Sequence, residues 1–213
     1  MKLMTRVIVF IMGIAVFTSG CNRAPTPEIG FTQPVFTEPS KTTPQPQETQ
    51  PVLNCTSPAP STISLTEGPY YKSNSPERTS LIEPGLTGTK LTITGYVLTT
   101  DCKPIANALL DFWQANAEGQ YDNTGYTLRG HQFTDETGRY QLETIVPGLY
   151  PGRTEHIHVK VQAPDGPILT TQLFFPGEPD NQTDQIFDPS LVLDNQSSND
   201  EQSAIFNFIV STR

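Results

Sequence analysis

The chain has 213 residues, a formal net charge of −9 at pH 7 and a hydrophobic fraction of 35%. Asp and Glu outnumber Lys and Arg by 22 to 13 and no basic run occurs, which argues against nucleic acid as a partner. The length would suit one or two domains, but the first third of the chain lacks the apolar periodicity of a folded core.

Residues 1–20 have the pattern of an export signal. Two basic residues, Lys2 and Arg6, precede an uninterrupted apolar stretch at 7–17, and small residues follow it. The stretch is shorter than the roughly 20 residues that span a bilayer as a helix. We therefore predict an export signal over 1–20, with a transmembrane anchor as the alternative.

The residue after this segment is Cys21, and residues 18–21 read Thr-Ser-Gly-Cys. This sequence resembles the lipobox of bacterial lipoproteins, whose cysteine is acylated and becomes the mature N-terminus, although Thr-Ser replaces the usual Leu-Ala pair. The resemblance implies lipidation at Cys21 and an extracytoplasmic protein that meets a bacterial membrane only through its lipid. Cys55 and Cys102 then remain as an even pair in an oxidising compartment, which predicts a disulfide, with two free thiols as the alternative.

Residues 21–54 are predicted to form an extended tether. Prolines recur along this stretch between Thr and Gln residues, and its few apolar residues show no period. Such a composition cannot bury enough surface to offset the conformational entropy that is lost on folding. Prolines also favour an extended, semi-stiff chain, which would hold the following domain away from the membrane.

Residues 55–213 are long enough to enclose one hydrophobic core. Short apolar or alternating stretches follow one another, separated by Gly- and Pro-containing turns and without any long helical period. Strands are predicted at 91–98, 108–113, 139–145, 156–161, 169–175 and 204–210. Short strands at this spacing favour an all-β fold, a β-sandwich of mostly antiparallel strands with long loops.

Two of the three histidines lie in the predicted strand at 156–161. Residues i and i+2 of a strand point to the same face, so His156 and His158 project together while Ile157 and Val159 face the core. Two imidazoles at this spacing can bind one metal ion, and imidazole accepts zinc, copper or iron. The pattern alone also fits two ordinary, half-exposed histidines.

Tyrosine and arginine residues flank this strand. Residues 147–153 form a rigid loop, rich in Pro and Gly, that carries Tyr150 and Arg153 to the beginning of the strand. Residues 113–121 end an earlier predicted strand and present Tyr121. The histidine pair therefore has two tyrosines and one permanent cation as candidate neighbours.

In these segments the sequence resembles the intradiol ring-cleavage dioxygenases, the catechol and protocatechuate 3,4-dioxygenase family. The resemblance covers about 66–189. It includes Thr-Glu-Gly-Pro-Tyr-Tyr at 66–71, the block at 113–121, Arg-Gly at 129–130, the stretch at 147–158 and Gln-Leu-Phe-Phe at 172–175. It implies a β-sandwich without the helical N-terminal region that the catechol dioxygenases of this family carry.

The resemblance also implies one mononuclear, non-haem Fe(III) per chain. The ligands of the family map here onto Tyr121, Tyr150, His156 and His158. The chemistry agrees, because a phenol with a pKa of about 10 is mostly neutral at pH 7 but ionises beside a trivalent cation. Tyr126 is the alternative to Tyr121, although the spacing of Tyr121 from Trp113 matches the family.

Further roles follow from the same resemblance. Tyr150 would leave the metal as substrate binds and take a substrate proton as a base. Arg153 would stabilise the negative charge that develops on the reacting carbon. Gln172 would lie beside the site, with an ordinary strand hydrogen bond as its alternative role, and Tyr70 would line the pocket. His131 is predicted not to be a ligand.

The implied function is the intradiol (ortho) cleavage of a catechol-type aromatic diol by O₂, giving a cis,cis-muconate-type product. The expected partners are thus a small-molecule diol and O₂. The alternative from another class is a lipid-anchored β-sandwich binding module that holds iron or a phenolic ligand without turnover. The presence of all four ligand residues favours the enzyme.

Overall fold

The structure, a computed structural model, describes residues 53–198 and 201–212. The predicted export signal at 1–20, the predicted lipidation site Cys21 and the tether up to residue 52 lie outside the described residues. Within the described ranges, no helix has both the length and the apolar character that crossing a membrane requires.

The described part of the chain contains nine β-strands and two short 3-10 helices. The helical segments are Pro179–Gln182 and Pro189–Leu191. The strands are β1 (Lys90–Leu98), β2 (Leu109–Trp113), β3 (Arg129–Phe133), β4 (Arg139–Ile145), β5 (His156–Gln162), β6 (Ile168–Phe174), β7 (Asp194–Ser198), β8 (Glu201–Ile205) and β9 (Phe208–Ile209). The predicted all-β class is confirmed.

The strands form two sheets. One has five strands in the order β4-β1-β8-β7, with β9 also paired to β1, and the other has four strands in the order β3-β2-β5-β6. Pairing is antiparallel except where β8 and β9 run parallel to β1. Side chains of both sheets meet in one hydrophobic core. The predicted β-sandwich of mostly antiparallel strands is therefore confirmed.

Alternation along β1 and β5 builds this core from both sheets. Ile93 of β1 and Ile157 and Val159 of β5 are fully buried in it. Burying each such side chain contributes about 1.5–3 kcal/mol to folding. The same alternation turns His156 and His158 to the opposite face of the four-stranded sheet.

The single strand predicted at 204–210 is wrong, because the chain divides there into β8 and β9. Between them, Phe206 N donates to the Thr94 carbonyl at 3.0 Å, and Asn207 Oδ1 accepts from Tyr96 N at 2.9 Å. The asparagine side chain thus replaces a main-chain partner of β1. Gly95 is needed at this point, since a Cβ there would lie 1.8 Å from the Phe206 carbonyl oxygen.

Residues 53–89, the described part of the chain before β1, contain no regular strand and contact the sandwich at several points. A disulfide joins Cys55 in this segment to Cys102 in the turn after β1. Further on, Leu65 N donates to the Thr170 carbonyl of β6 at 2.9 Å. Residues 66–71 consequently cross the histidine face of the four-stranded sheet.

Candidate active site

Two histidine rings face each other at the start of β5. His156 Nε2 and His158 Nε2 are 3.2 Å apart, and both side chains are buried. His156 Nδ1 donates to the Thr154 carbonyl at 2.6 Å, which leaves a lone pair on His156 Nε2. The pair thus has the arrangement of two imidazoles that bind one cation.

Burial keeps both imidazoles neutral. It lowers the pKa of His156 to about 4, although the hydrogen bond to the Thr154 carbonyl opposes the shift. Burial also lowers the pKa of His158 well below its ordinary value, assisted by the neighbouring His156 ring and by Arg153. Since neutral imidazole is the form that binds metals, the pair is in its ligand form at neutral pH.

Trp113 of β2 sets the orientation of the His158 ring. The strand registers bring Trp113 and Gln172 opposite His158 on its two sides. The rings of Trp113 and His158 stack with centroids 4.9 Å apart and planes within 9°. His158 Nδ1 is buried and has no hydrogen-bond partner in the described ranges. Stacking on Trp113, rather than a hydrogen bond at Nδ1, therefore helps to orient this ring.

Tyr121, and not Tyr126, reaches the histidine pair from the loop after β2. Tyr121 Oη lies 3.4 Å from His156 Nε2. Tyr126 Oη instead donates to the Ser73 carbonyl at 2.9 Å. Of the two candidate tyrosines in this loop, only Tyr121 is thus in hydrogen-bonding contact with the pair.

A glycine brings the two tyrosine loops together. Gly119 has a φ of +74°, and a Cβ at this position would lie 2.0 Å from the Leu149 carbonyl oxygen. Asn116 Oδ1 stabilises the turn by accepting from backbone N–H groups within it. The loop that presents Tyr121 therefore packs directly against the loop that presents Tyr150.

Tyr150 and Tyr70 complete an aromatic group around Tyr121. The rings of Tyr70 and Tyr121 stack with centroids 4.3 Å apart, and Tyr150 meets both rings edge-on. Tyr70 Oη donates to Tyr150 Oη at 3.1 Å. This hydrogen bond, followed by burial, raises the pKa of Tyr70. Tyr70 therefore keeps its proton and remains the donor of the pair.

Arg153 is held in one orientation by two side chains. Its Nε donates to Asp184 Oδ2 at 2.9 Å, and its Nη2 donates to Gln172 Oε1 at 2.5 Å. Gln172 Nε2 in turn donates to the Thr66 carbonyl at 2.9 Å. Gln172 thus links the Arg153 guanidinium to the segment that crosses the histidines. Its side chain therefore does more than make an ordinary hydrogen bond within the strand.

Asp184 is the residue of this site that the sequence reasoning missed. Its carboxylate accepts from Arg153 Nε, from Thr154 N at 3.0 Å and from Ile186 N at 2.8 Å. Burial opposes its ionisation, but these donors hold the pKa of Asp184 below its ordinary value. An acidic residue in a loop carries no periodic signal, so only the three-dimensional structure reveals this partner.

A metal ion at the histidine pair would need tyrosine oxygens as further ligands. In the described ranges, no group of three or more His, Cys, Asp or Glu side chains is arranged to hold a metal ion. The third histidine, His131, contacts the Ser75 carbonyl through Nδ1 at 2.8 Å. It lies on β3, where its partners are those of a structural residue.

The donors fit a ferric ion. The two Nε2 atoms are 3.2 Å apart, close enough for one ion to contact both nitrogens. Burial raises the pKa of Tyr121, with Arg153 and Arg129 opposing, so its phenol is neutral without a cation beside it. A trivalent cation ionises such a group, and the resulting phenolate is a hard, anionic oxygen donor.

Comparison with known proteins gives an independent result. A family model described as Dioxygenase matches residues 66–211. Hydroxyquinol 1,2-dioxygenase of Rhizobium sp. (strain MTP-10005) is 31% identical over 180 residues, which cover 71% of this chain and 61% of that protein. The chain spans about half to three fifths of the length of this and other curated relatives that it matches.

Solved structures agree with this match. The dioxygenase domain of a dioxygenase carbohydrate-binding protein fusion from Streptomyces sp. SirexAA-E is 52% identical, with a TM-score of 0.70, over 72% of this chain and 100% of that chain. 3-Chlorocatechol 1,2-dioxygenase from Rhodococcus opacus 1CP is 29% identical, with a TM-score of 0.64, over 70% of this chain and 72% of that chain.

Proposed function

Since the chain belongs to the intradiol ring-cleavage dioxygenase family, we propose that it cleaves a catechol-type aromatic diol between its two hydroxyl-bearing carbons. Both atoms of O₂ would enter the product, a cis,cis-muconate-type diacid. The proposed cofactor is one non-haem Fe(III) per chain, which would be held by Tyr121, Tyr150, His156 and His158. When bound, Fe(III) would supply Lewis-acid activation of the diol toward O₂.

One observation supports the proposal above the others. Two neutral, buried imidazoles present their Nε2 atoms to each other at 3.2 Å, and a tyrosine oxygen lies 3.4 Å from one of them. His156 Nε2 is unprotonated, because the proton of this ring lies on Nδ1. His158 Nε2 can donate to it in one tautomer, and in the other tautomer both nitrogens are free to bind one cation. The second arrangement supports a role in binding a cation.

Tyr150 is the proposed base for the diol. Its Oη accepts a hydrogen bond from Tyr70 at 3.1 Å, so this oxygen is already oriented as an acceptor. The proton of one substrate hydroxyl would move to Tyr150 Oη as the diol binds. Tyr70 would keep its own proton, and its hydrogen bond would orient Tyr150 while Tyr150 leaves the metal and takes the substrate proton.

Arg153 is the proposed electrostatic partner of the reacting ring. Its guanidinium is fixed by Asp184 and Gln172 before any substrate binds, so no reorganisation is needed when negative charge develops on the diol carbon. Burial raises the pKa of Tyr121 and lowers that of His156, and the charge of Arg153 opposes the first shift and adds to the second. Gln172, which lies opposite His158 on the neighbouring strand, would hold Arg153 in a fixed position relative to His158.

Oxygen uptake by the purified, iron-loaded chain tests this function. A panel of catechol-type diols should include a substrate that consumes one O₂ per diol, and mass spectrometry after reaction in ¹⁸O₂ should find both labelled atoms in a muconate-type diacid. The matched control for a ligand variant such as His158→Ala is His131→Ala, which should keep both iron and oxygen uptake. An iron-loaded chain that binds diols without consuming O₂ would refute the enzyme and favour a binding module.

We further propose that the protein is exported and lipidated at Cys21. The basic start, the apolar stretch and the Thr-Ser-Gly-Cys sequence at 18–21 support this localisation. The disulfide between Cys55 and Cys102 supports it as well, because disulfides persist mainly in oxidising compartments. Mass spectrometry of the mature N-terminus from a membrane fraction tests the proposal.

A further inference from the structure

Arg129, at the start of β3, is a buried cation. Only 2% of it is exposed, and none of the ion pairs in the described part of the chain includes it. Asp122 presents its main-chain oxygen to Arg129, while its carboxylate accepts from backbone N–H groups of its own turn. Burying a charge that no carboxylate contacts directly is costly, although Asp122 and Asp111 attract it from a greater distance. The hydrogen bonds of its guanidinium indicate what this arginine holds in place.

The guanidinium joins the two segments whose tyrosine rings stack. Nη1 donates to the Tyr70 carbonyl at 2.6 Å, and Nε and Nη2 donate to the Asp122 carbonyl at 3.1 and 3.0 Å. Asp122 directly follows Tyr121, so each carbonyl belongs to the backbone beside one ring of the stack. The guanidinium carbon also lies 5.9 Å from the centroid of the Tyr121 ring.

The turn that leads into β3 is strained where it delivers this side chain. Leu128, directly before Arg129, has a φ of +54°, a conformation that is unfavourable for a residue with a Cβ. Such a conformation persists only where the surroundings over-determine it, and it is often found at functional sites. Here the Leu128 side chain enters the core while the next residue turns toward the tyrosines.

We propose that Arg129 is a positioning residue, which fixes the Tyr121 ring and places a permanent positive charge beside it. This inference rests on the proposed function, in which Tyr121 is a phenolate ligand. The planar guanidinium of Arg129 holds the backbone beside both stacked rings, Tyr70 and Tyr121. Tyr121 therefore stays in position next to His156. The fixed charge stabilises negative charge on the Tyr121 ring, in addition to the attraction of a cation for an aromatic face.

The test compares Arg129→Gln and Arg129→Lys with the wild-type full chain, each loaded with iron. The readouts are iron content, the visible phenolate-to-iron charge-transfer band, and kcat and KM for a diol that the wild type cleaves. Arg129→Gln removes the cation beside the Tyr121 ring, which donates the electron in the charge-transfer transition. Without that cation the donor orbital of the phenolate rises in energy, so the charge-transfer band should move to longer wavelength. Its kcat should fall by on the order of 10²-fold because the ring is no longer held in place, while KM changes little.

Arg129→Lys separates charge from geometry. It keeps the cation, so its band should stay near that of the wild type. A point charge on a flexible stem cannot hold both carbonyls, so its kcat should still fall by roughly tenfold, within the range expected for a small misplacement.

Arg78→Gln is the matched control. Arg78 donates to the carbonyls of Arg129 and Tyr126 in the same network, but in the described ranges none of its hydrogen bonds is to Tyr70, Tyr121 or Tyr150. Its replacement should lower stability and leave the band and kcat as in the wild type.

Two results would overturn the role of Arg129. One is an Arg129→Gln chain that folds, binds iron and keeps both the wild-type band and the wild-type kcat. The other is a failure of both Arg129 variants to fold, which would make the residue a structural one. A wild-type chain that binds no iron would be a different failure, since it would refute the proposed function before any variant is compared.

Discussion

Replacing Asp184 with Asn tests how the site holds Arg153. The Asp184 side chain is 1% exposed and that of Arg153 is 14% exposed, so the pair is largely out of water. The Asp184 carboxylate accepts from Arg153 Nε and from the N–H groups of Thr154 and Ile186. Asparagine has the same size, but it has one acceptor oxygen instead of two and no charge. At least one of the three donors therefore loses its partner, and the guanidinium loses its anion.

The expected loss of stability is large for a single substitution. Breaking a buried ion pair by removing one partner costs about 3–5 kcal/mol. Because Arg153 is partly exposed, the cost of breaking this ion pair should lie at the lower end of that range. We therefore expect a loss of about 3 kcal/mol in the free energy of unfolding at pH 7. The loosened guanidinium should also lower kcat by roughly tenfold, as expected when a positioned group loses its support. Denaturant unfolding and oxygen-uptake kinetics measure the two effects.

The loss should depend on pH in one direction. Burial opposes the ionisation of Asp184, but the donors from Ile186, Thr154 and Arg153 hold its folded-state pKa below the ordinary value. A group with such a lowered pKa contributes stability above its unfolded-state pKa of about 3.9 and loses it as the pH falls through the folded-state pKa. The difference in free energy of unfolding between wild type and Asp184→Asn should thus have its full value at pH 7 and become smaller below about pH 4.

Asp135→Asn is the matched control for this experiment. Asp135 also accepts from backbone N–H groups, those of Thr137 and Arg139, but it lies in an exposed turn away from the site. Its replacement should cost less than about 1 kcal/mol of stability, because Asn caps backbone N–H groups about as well as Asp, and should leave kcat unchanged. An Asp184→Asn chain with the same small loss and a wild-type kcat would refute the reasoning that the ion pair positions Arg153.

The remaining predictions concern the metal, the reaction and export. His158→Ala should release most of the iron, measured by metal analysis, while the far-UV circular dichroism stays β-rich, because its face of β5 lies opposite the core; a variant with full iron would contradict this. Tyr150→Phe should keep iron but change the visible colour and slow turnover. Arg153→Ala should keep iron and colour and lose on the order of 10²–10³ in kcat, and Arg153→Lys should recover little of it. Cys21→Ser should abolish lipidation, seen by mass spectrometry of the membrane fraction, while the disulfide persists.

Much of the fold could be predicted from the sequence wherever one face of a strand is apolar. β1, β4 and β5 alternate regularly, and the predicted stretches 91–98, 139–145 and 156–161 lie within or coincide with them. β3 was missed because it buries polar side chains, Arg129 and Gln132, so it has no apolar face to recognise. β7 was missed because its five residues, DNQSS, are all polar.

The candidate site could be predicted only as far as its motifs extend. Tyr121, Tyr150 and the two histidines lie in segments that carry local patterns, and the structure brings these segments together. The ion-pair partner of Arg153 could not be predicted in the same way, since Asp184 is 31 residues away in a loop without periodicity. The burial of the histidines also depends on a distant segment, 66–71, whose path no local pattern determines.

The strand β5 couples the stability of the sandwich to the chemistry of its site. On one face, Ile157 and Val159 are fully buried in the apolar core. On the other face, the same strand carries His158, whose Nδ1 has no hydrogen-bond partner in the described ranges. A buried polar atom of this kind is unfavourable for folding, and the packing of the apolar face offsets that cost. The geometry of the histidine pair is therefore fixed by packing on the opposite side of the sheet, so the sandwich acts as the rigid support that a preorganised metal site requires.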